Sequence, residues 1–331
     1  MSDDKVMATF FLITYNQEKY IREAIEGAFG QTYSPMEIVI SDDCSTDGTF
    51  RIIEEMCEKY VGPHKIVVNR NRQNLGLIGH VNRITELSSG ELIIYAAGDD
   101  VSLPHRTEKV VERYLATGRR ASLIHSSVYL IDIAGNRIGT RLPPVISHGT
   151  RGMNIEDMAV SGALIIGATT SFTKKIEEIF GQIKYNKCIE DLVMGFRSAL
   201  MGSLEYISEP LILYRHEVGI TASSDFRNQT HEEWARREIH NQEIYLAVLA
   251  QRIEDLRRIG NVNLIPFVKS KRSEVLLQRT VWTRNYSFIK LISYSFKRGL
   301  LSVFVKLFIF GKKKRIFFPV KKLMHKRAVN S

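Results

Sequence analysis

The chain has 331 residues, of which 44% are hydrophobic and 25% are charged. This composition is typical of a folded protein and excludes global disorder, and the length suits one large domain with an appendage or two modest domains. The three cysteines are odd in number and show no close pairing, which indicates a reducing compartment and argues against a disulfide framework or a cysteine metal site. No apolar run follows a basic stretch at the start, so no secretory signal is expected.

Charge divides the chain into two parts. The stretch 269–331 carries 17 lysines and arginines against the single acid Glu274, whereas the first 268 residues carry 29 bases and 35 acids. Two parts of opposite net charge are expected to have different partners.

Four short apolar runs in the first hundred residues have the continuous pattern of buried strands. They are Ala8–Ile13, Ile38–Ile40, Ile66–Val68 and Leu92–Tyr95. Helical spacing of apolar residues between the first three runs predicts an α/β fold with a mostly parallel sheet flanked by helices. Ligands of such sheets bind beyond the carboxyl ends of the strands. The segments at those ends are polar: Thr14–Gln17, Ser41–Thr46, Asn69–Asn74 and Ala97–Leu103.

After Asp100 the pattern is looser. It indicates a strand at Leu123–Ile131, a turn at Gly135-Asn136, a helix at Glu190–Leu200, strands at Leu204–Ile207 and Leu211–Tyr214, and a long polar helix from about His231 to Arg258.

The basic end mixes aromatic and aliphatic residues with lysines from Tyr286 to Met324. Its apolar stretches are shorter than the ~20 residues that a spanning helix needs, so we expect an amphipathic helix in the headgroup layer of a membrane. The cluster Lys312–Arg315 suits anionic lipid. A soluble helical hairpin with a solvated basic face is the alternative, and the bulky aliphatics favour lipid over nucleic acid.

Two adjacent carboxylates, Asp99 and Asp100, follow the strand Leu92–Tyr95. They repel each other, and a bound divalent cation would remove that repulsion, because Mg²⁺ and Mn²⁺ prefer carboxylate oxygens and commonly bridge a protein acid to substrate phosphates. Alternatively, the second Asp caps a helix that begins near Pro104. The fragment alone leaves both interpretations open.

A second acidic segment, Ser41–Thr49, follows another strand of the same sheet. Serine, threonine and aspartate before a helix are ordinary capping residues, and Asp47 or Thr46 would serve as one. A second pair of acids at one sheet edge exceeds what capping requires. We therefore expect a carboxylate of Asp42 or Asp43 to accept hydrogen bonds from a base or a ribose.

Two further candidates lie downstream. Glu190-Asp191 opens a predicted helix, where the helix dipole alone would stabilise an acid. The functional alternative is a general base that takes a proton from an attacking hydroxyl. His216 follows the strand Leu211–Tyr214 and is either structural or, as a neutral imidazole, a metal ligand.

Five motifs, in this order and spacing, resemble family 2 of the inverting glycosyltransferases over about Met7 to Ser223. They are Leu12–Asn16, Val39–Thr49, the stretch from Asn74-Leu75-Gly76 through Asn82-Arg83 to Ser89-Gly90-Glu91, Gly98-Asp99-Asp100, and Glu190-Asp191. The resemblance implies the GT-A nucleotide-diphospho-sugar transferase fold in residues 1–224, with a helical, basic, amphipathic extension in 225–331.

The resemblance also implies a reaction and the residues that perform it. A metal-dependent enzyme would transfer a sugar from a nucleotide-diphosphate donor, by default a UDP-sugar, to an acceptor hydroxyl with inversion. Asp191 would be the base, and Asp99, with His216, would hold Mn²⁺ or Mg²⁺. The donor would contact Thr14, Tyr15, Asn16, Asp42, Asp43, Asn74, Asp99 and Asp100.

Three positions depart from the family pattern. Ala97 stands where the family often has the first Asp of its metal signature, which leaves most of the coordination to Asp99. Val81 stands where many members have an arginine. The Gln-x-x-Arg-Trp signature of processive synthases is absent, since Val281 occupies the arginine position in Gln278–Trp282, so repeated sugar addition is not expected.

An acidic catalytic domain with a basic apolar tail predicts an acceptor at an anionic membrane surface. We expect a lipid-linked glycan of surface polysaccharide or lipopolysaccharide (O-antigen) synthesis, a peripheral location at the cytoplasmic face of a bacterial inner membrane, and no nucleic acid partner. Gly167–Thr170 is a candidate lining of the sugar or acceptor pocket, or plain loop and strand.

Two rival functions are weighed against this one. A sugar nucleotidyltransferase usually has a Gly-rich basic phosphate loop where this chain has Thr14–Gln17. A non-enzymatic membrane- or nucleic-acid-binding protein would bind its partner through the basic tail. It would not need polar motifs at one edge of the sheet.

Overall fold

The computed structural model describes residues 5–143, 154–216, 218, 230–283, 293, 295–297, 299–303 and 305. The chain divides into two compact units, Met1–Ser224 and Asp225–Ser331. Most of the basic segment from Tyr286 to Met324, including the cluster Lys312–Arg315, lies outside the described residues.

The first unit begins with the predicted alternation of strands and helices. Its strands are β1 (Ala8–Thr14), β2 (Met36–Asp42), β3 (Lys65–Arg70) and β4 (Leu92–Ala97), and its helices are α1 (Ile21–Phe29), α2 (Thr49–Glu58), α3 (Gly76–Asn82) and α4 (Ile84–Leu87). Every residue of β1 and β2 is buried, which explains why these strands read as continuous apolar runs. The α/β prediction is confirmed, and each predicted strand is extended at one or both ends.

The rest of the sheet is mixed. It contains β5 (Val101–Ser102), β6 (Leu123–Ile131), β7 (Arg137–Arg141), β8 (Ser171–Thr173) and β9 (Leu204–Arg215). The strand order is β3-β2-β1-β4-β8-β6-β9-β5, and β7 pairs with β6. Strands β3, β2, β1 and β4 are parallel, whereas β8 runs antiparallel to both of its neighbours.

The two strands predicted at Leu204–Ile207 and Leu211–Tyr214 are one strand, β9. It pairs with β6 through register shifts on both sides of Ser127, which lies opposite Pro210. Proline cannot donate to the ladder and is tolerated at such irregularities, so the break in the sequence pattern marks a bulge and not a loop.

Four helices complete the described part of the first unit: α5 (Arg106–Ala116), α6 (Ile155–Ala159), α7 (Lys175–Phe180) and α8 (Glu190–Leu200). The buried apolar residues of α5, Val110, Val111 and Tyr114, join the core cluster that contains Phe10, Leu12, Ile38 and Ile94. The predicted helix Glu190–Leu200 is confirmed residue for residue as α8.

The second unit is helical in its described residues. Helix α9 (His231–Arg258) begins at a capping box, in which Thr230 Oγ1 accepts from the Glu233 N–H and the Glu233 side chain accepts from the Thr230 N–H. Helix α10 (Ile265–Thr283) packs against it. Among the described residues, no helix combines the length and the apolar character needed to cross a membrane.

Candidate active site

The polar segments predicted at the strand ends meet at one edge of the sheet. In the parallel register, Thr14 lies opposite Asp42, and Ile13 lies between Ser41 and Ala97. The Gly98 N–H donates to the Ile13 carbonyl at 2.9 Å, and the Asp43 N–H donates to the Thr14 carbonyl at 3.0 Å. The carboxyl ends of β1, β2 and β4 therefore lie together at one edge of the sheet. Sheets of this kind bind their ligands at that edge.

The loops after β1 and β2 form one unit held by Asn16. Its N–H donates to Ser45 Oγ at 2.9 Å, and its Oδ1 accepts from the Thr46 N–H at 2.8 Å. Asn16 has φ 51°, in the left-handed region that asparagine tolerates better than most residues. The amide of Asn16 therefore shapes the loop, while the neighbouring Tyr15 is 45% exposed and accessible to a ligand.

Asp42 and Asp43 are both buried but have different partners. Asp43 is fully engaged, since its oxygens accept from Asn71 Nδ2 at 2.8 Å, from the Leu75 N–H at 2.9 Å and from the Gly76 N–H at 3.0 Å. Asp42 Oδ2 accepts from the Ser45 N–H at 2.9 Å, but its Oδ1 has no hydrogen-bond partner among the described residues. Because an unpaired buried acceptor is costly, Asp42 is the member of the pair with acceptor capacity left for a ligand.

Asp43 thereby organises the loop that carries Asn74. Gly76, at φ 70°, donates its N–H to Asp43 and also to Asn74 Oδ1 at 2.9 Å. Asn74 is exposed, so its amide nitrogen remains open to a ligand. The N-cap of α2 is Gly48, and Asp47, just before it, accepts with its Oδ1 from the N–H and the hydroxyl of Thr49 at the start of α2.

The Asp99-Asp100 segment is held by Arg215, a fully buried arginine at the end of β9. The Arg215 N–H donates to Asp100 Oδ1 at 2.9 Å, and its Nε donates to the Asp99 carbonyl at 3.1 Å. Its guanidinium also pairs with Glu23 at 2.9 Å. Asp100 therefore does not cap α5, whose N-cap is His105. The residue after Arg215 is His216, so the chain brings this exposed histidine next to the acidic segment.

Both acids of this segment are buried, and burial dominates their electrostatics. It raises the pKa of Asp99, although the Gln17 side chain and the Arg215 guanidinium oppose the change. Burial also raises the pKa of Asp100 well above its usual range, and the Asp99 carboxylate adds to the effect. A cation beside the pair would lower both pKa values again, because an opposite charge favours the ionised carboxylates.

A second buried arginine, Arg106, fixes the end of β4 to the turn Gly167–Thr169. Its guanidinium donates to the Tyr95 carbonyl at 2.6 Å, to the Ala168 carbonyl at 3.1 Å and to Ser102 Oγ at 2.8 Å. Burial lowers the pKa of Arg106 to about 9, while Asp100 opposes the shift. The group therefore still carries its charge at neutral pH and ties three segments of the cleft together.

Glu190 and Asp191 open α8 beside the same turn. A Cβ added to Gly167 would lie 2.6 Å from Glu190 Oε1 and 3.5 Å from Asp191 Cβ, so only glycine leaves these acids their present positions. Burial, and then the Asp191 carboxylate, raise the pKa of Glu190 to about 8. Glu190 Oε2 has no hydrogen-bond partner among the described residues.

The backbone of Tyr95 connects the acids that follow β4 with those that open α8, because Arg106 bonds to its carbonyl and to that of Ala168, next to the close approach of Gly167 and Glu190. Burial raises the pKa of the Tyr95 hydroxyl well above the ordinary value, and the carboxylates of Glu190, Asp99, Asp191 and Asp100 raise it further. Acids about ninety residues apart in the sequence thus act on one phenol. The structure brings together the acidic segment and the Glu190-Asp191 pair that the sequence had singled out separately.

The carboxylate oxygens of this site suit a hard divalent cation that is bound together with a substrate. In the part of the chain that the structure describes, no three His, Cys, Asp or Glu side chains lie close enough to form a metal cage. Mg²⁺, however, is usually bound through one or two carboxylates together with substrate phosphates. A buried carboxylate whose pKa is raised by burial, as at Asp99, fits that role.

The sequence did not single out four of these residues. Gln17, Tyr95, Arg106 and Arg215 lie within or next to quoted motifs, but each reads as an ordinary surface or strand residue. Burial of two arginines at 1% exposure is the informative observation, since arginine is almost never fully buried unless paired. That burial depends on partners far away in the chain, which no local pattern shows.

The raised pKa of Glu190 predicts a pH-dependent gain in stability for Glu190→Gln. The folded pKa of about 8 lies above the ordinary value of about 4.3, so the folded protein holds a proton that the unfolded chain releases. The free energy of unfolding therefore falls as pH rises between these values. The whole loss of stability that comes from ionising the buried Glu190 carboxyl is present above about pH 8. In metal-free protein we expect Glu190→Gln to raise the free energy of unfolding by at least about 1 kcal/mol at pH 8.5 and by much less at pH 5.

Urea unfolding at both pH values measures this difference. Glu178→Gln, at an exposed position of α7, is the matched control and should show no such pH dependence. An equal effect of Glu190→Gln at pH 5 and pH 8.5 would contradict the burial of the Glu190 carboxyl.

Residues 9–172 match the family model described as Glycosyl transferase family 2. The putative glycosyltransferase EpsE of Bacillus subtilis is 33% identical over 135 residues, which cover 41% of this chain and 48% of EpsE. The succinoglycan biosynthesis protein ExoO of Rhizobium meliloti is 32% identical over 130 residues, which cover 39% of this chain and 36% of ExoO. The chain thus spans about half the length of EpsE and about a third of that of ExoO.

Two solved structures share the fold. TarS 1-349 from S. aureus, in complex with UDP-GlcNAc, has a TM-score of 0.54 at 15% identity and covers 91% of this chain and 92% of that one. The mannosyltransferase PcManGT from Pyrobaculum calidifontis, in complex with GDP-Man and Mn²⁺, has a TM-score of 0.53 at 13% identity and covers 91% of this chain and 86% of that one. The family match and these relatives agree: residues 9–172 of the chain form a domain of glycosyl transferase family 2.

Proposed function

We propose that the chain is an inverting, non-processive glycosyltransferase that moves a sugar from a nucleoside diphosphate onto an acceptor hydroxyl. The observation that supports this most directly is the link made by Arg106, which bonds to the carbonyls of Tyr95 and Ala168 and so holds the end of β4 beside the turn that contacts Glu190. Asp99 and Asp100 follow the end of β4, and Glu190 and Asp191 open α8. Those are the two places that a donor phosphate with its cation and an incoming hydroxyl would need.

The nucleoside would bind at the joined loops after β1 and β2. Thr14 and Asn16 hold the loop, Tyr15 offers an exposed ring for stacking, and Asp42 keeps an acceptor for a base N–H or a ribose hydroxyl. Asp43 acts through the loop that it shapes, and Asn74 presents its amide from there. UDP is the donor nucleotide that we propose, in line with the UDP-GlcNAc bound by TarS, and GDP, bound as GDP-Man by PcManGT, is the comparison.

Asp99 and His216 would hold Mn²⁺ or Mg²⁺, and Asp100 would support the segment. Bound there, the cation would neutralise the negative charge that builds on the leaving diphosphate. PcManGT carries Mn²⁺ with its nucleotide sugar, which agrees with this assignment.

Asp191 would act as the general base. Its carboxylate would take the proton of the acceptor hydroxyl as that oxygen attacks the anomeric carbon from the face opposite the diphosphate. The new carbon–oxygen bond forms as the bond to the diphosphate oxygen breaks, and the nucleoside diphosphate leaves with the electron pair. One displacement inverts the configuration and needs no covalent enzyme intermediate.

The function is tested by donor turnover. Purified full-length protein should release UDP or GDP from one of a panel of UDP- and GDP-sugars with Mn²⁺, and thermal shift with the same panel identifies the donor. Release of pyrophosphate from a nucleoside triphosphate and a sugar phosphate would instead identify a nucleotidyltransferase. Failure to bind or turn over every nucleotide sugar would overturn the proposal.

The acceptor that we propose is a lipid-linked glycan, in polysaccharide or O-antigen synthesis at the cytoplasmic face of a bacterial inner membrane. The support is the excess of 16 positive charges in 269–331 and the succinoglycan biosynthesis role named for ExoO. The basic residues there alternate with bulky apolar ones, a pattern that favours an anionic lipid surface over nucleic acid.

If the region 269–331 binds lipid, the binding of the protein to anionic vesicles should depend on the positive charges of that region. Because each basic charge near an anionic surface contributes about 1 kcal/mol, the triple change Lys312→Gln, Lys313→Gln and Lys314→Gln should lower binding to phosphatidylglycerol vesicles by at least about tenfold. Sedimentation with these vesicles measures the loss, and pure phosphatidylcholine vesicles give the baseline. A form that ends at Tyr286 and still sediments with the anionic vesicles would refute the assignment.

A further inference from the structure

A chain of hydrogen bonds runs from Asp43, at the donor loops, to His80 on α3. Asn71 Nδ2 donates to Asp43 Oδ1 at 2.8 Å, and Asn69 Nδ2 donates to Asn71 Oδ1 at 3.2 Å. Asn69 Nδ2 also donates to Ser41 Oγ at 2.9 Å, and Ser41 Oγ lies 2.7 Å from His80 Nε2. His80 is 2% exposed and has no function in the proposed reaction so far.

The Asp43 carboxylate fixes the direction of every bond in this chain. A carboxylate only accepts, so Asn71 presents its amide nitrogen to Asp43 and its amide oxygen to Asn69. Asn69 must then donate to Asn71, and the same amide nitrogen donates to Ser41 Oγ. Among the described residues, the remaining hydrogen-bond partner of the Ser41 hydroxyl is His80 Nε2. The hydroxyl therefore donates its hydrogen to His80, and Nε2 is the acceptor.

This direction defines the state of the His80 imidazole. A histidine that accepts at Nε2 is neutral and carries its proton on Nδ1. Burial favours the same state, because it lowers the pKa of His80 below the ordinary value, while the nearby Asp43 and Asp42 carboxylates oppose the shift. The pattern of hydrogen bonds and the burial of the ring thus agree on one tautomer.

His80 attaches α3 to the end of β2 at a second point. Asp43 already holds the start of the helix, since it accepts from the N–H groups of Leu75 and Gly76. His80 lies about one helical turn after Gly76 and is bonded to Ser41, which precedes Asp43 by two residues. The helix is therefore tied to β2 at its first residue and again one turn later.

The two attachments hold the proposed donor contacts in a fixed relation to each other. Asp42 stands between the two attached residues of β2 and has the unpaired acceptor Oδ1. Asn74 is exposed just before the start of α3. With one attachment α3 could pivot about the Asp43 carboxylate, whereas two attachments fix its orientation. A binding site whose contacts come from separate segments needs such support.

We propose that His80 is a positioning residue for the nucleoside, which accepts the hydrogen bond of Ser41 and so holds α3 with Asn74 and Asp42 directed at one bound donor. The assignment rests on the proposed function, since it presumes a nucleotide at the loops after β1 and β2. It extends that function by a residue that acts through Ser41 and α3 and not by contact with the donor.

Binding of UDP with Mn²⁺, measured by calorimetry, tests this role, and GDP replaces UDP if the panel selects guanosine. His80→Leu removes the acceptor of Ser41 and should weaken UDP binding about 3- to 10-fold, as loss of one hydrogen bond predicts. In steady-state transfer the KM for the donor should rise by the same factor, while kcat changes by less than about twofold, because donor binding and not the reacting groups is affected. His80→Gln, whose side-chain oxygen can accept from Ser41, should restore the affinity to within about twofold of the wild type.

A double-mutant cycle and a matched control separate this role from a loss of stability. Ser41→Ala should weaken UDP binding as much as His80→Leu does. The double variant should bind no more weakly than either single variant, since all three lack the same bond. His64→Leu is the control, because His64 is also buried, bonds to the Gln31 carbonyl at 3.0 Å and precedes β3 at the end of that strand away from Asn69. It should lower the unfolding temperature and leave the UDP affinity unchanged.

Four results would overturn the assignment. They are unchanged UDP affinity in His80→Leu, failure of His80→Gln to restore the affinity, additive losses in the double variant with Ser41→Ala, and an equal loss in His64→Leu. If His80→Leu does not fold, Ser41→Ala tests the same bond, and unchanged UDP affinity there overturns the assignment. Wild-type protein that binds no nucleoside diphosphate would instead overturn the proposed function, and the assignment with it.

Discussion

Asp191→Asn is expected to lower the turnover number for sugar transfer by about 10²- to 10⁴-fold, the usual contribution of a positioned general base. Asparagine keeps the size and shape of the side chain but cannot take the proton of the acceptor hydroxyl. The affinity for UDP with Mn²⁺ should change by less than about twofold, because the nucleoside site is built from the β1 and β2 loops. Steady-state transfer and calorimetry with UDP measure the two quantities separately.

The matched control is Asp157→Asn. Asp157, like Asp191, lies in the first turn of a helix, and it is exposed. Both substitutions remove an acid that the helix dipole favours, an effect of about 0.3–1 kcal/mol. Only Asp191→Asn should lose turnover. A parallel loss of turnover and UDP affinity would show that Asp191 shapes the donor site and would contradict its assignment as the base.

Sequence patterns predict the half of the sheet that carries the donor loops. Buried parallel strands are continuous apolar runs, so β1, β2, β3 and β4 could be located to within three residues at each end. Polar residues directly after such runs lie at one sheet edge by topology alone. The long helix α9 could be placed from its polar helical pattern alone, and its bounds, His231–Arg258, are the predicted ones.

The short strands could not be predicted in the same way. Strands β5 and β8 have two and three residues, too few for any periodicity, and they exist because longer neighbours offer hydrogen bonds. The partners that distinguish Asp42 from Asp43 are equally invisible in the sequence. Asp43 is satisfied by the N–H groups of Leu75 and Gly76, more than thirty residues away.

The cleft also depends on residues that no motif indicates. Tyr95 reads as one more apolar residue of a buried strand, yet Arg106 holds its carbonyl beside the turn that contacts Glu190. Arg215 joins Asp99, Asp100 and Glu23 across sequence separations above one hundred residues. Motifs thus predict which groups carry the chemistry, whereas the groups that position them follow only from the folded chain.

Asp99→Ala is expected to remove the dependence of donor binding on the divalent cation. In the wild type, Mn²⁺ should tighten UDP binding by at least about tenfold, and in the variant this gain should fall to about twofold or less. The reason is the small number of protein ligands. With Ala97 in place of an acid, the cleft offers Asp99 as the main carboxylate, so its loss leaves the cation to the diphosphate and water.

Calorimetry of UDP binding in the presence of Mn²⁺ and in the presence of EDTA measures the gain in UDP affinity that the cation gives. The measurement needs no turnover. His216→Ala tests the second proposed ligand and should reduce the gain by a smaller factor, because the exposed imidazole can be replaced by water. His105→Ala is the control, since His105 pairs with Glu209 at 2.9 Å and should leave the gain unchanged. If Asp99→Ala keeps the full effect of Mn²⁺, the cation is held elsewhere in the cleft, and the arrangement of acids around Tyr95 then has to bind the donor by another route.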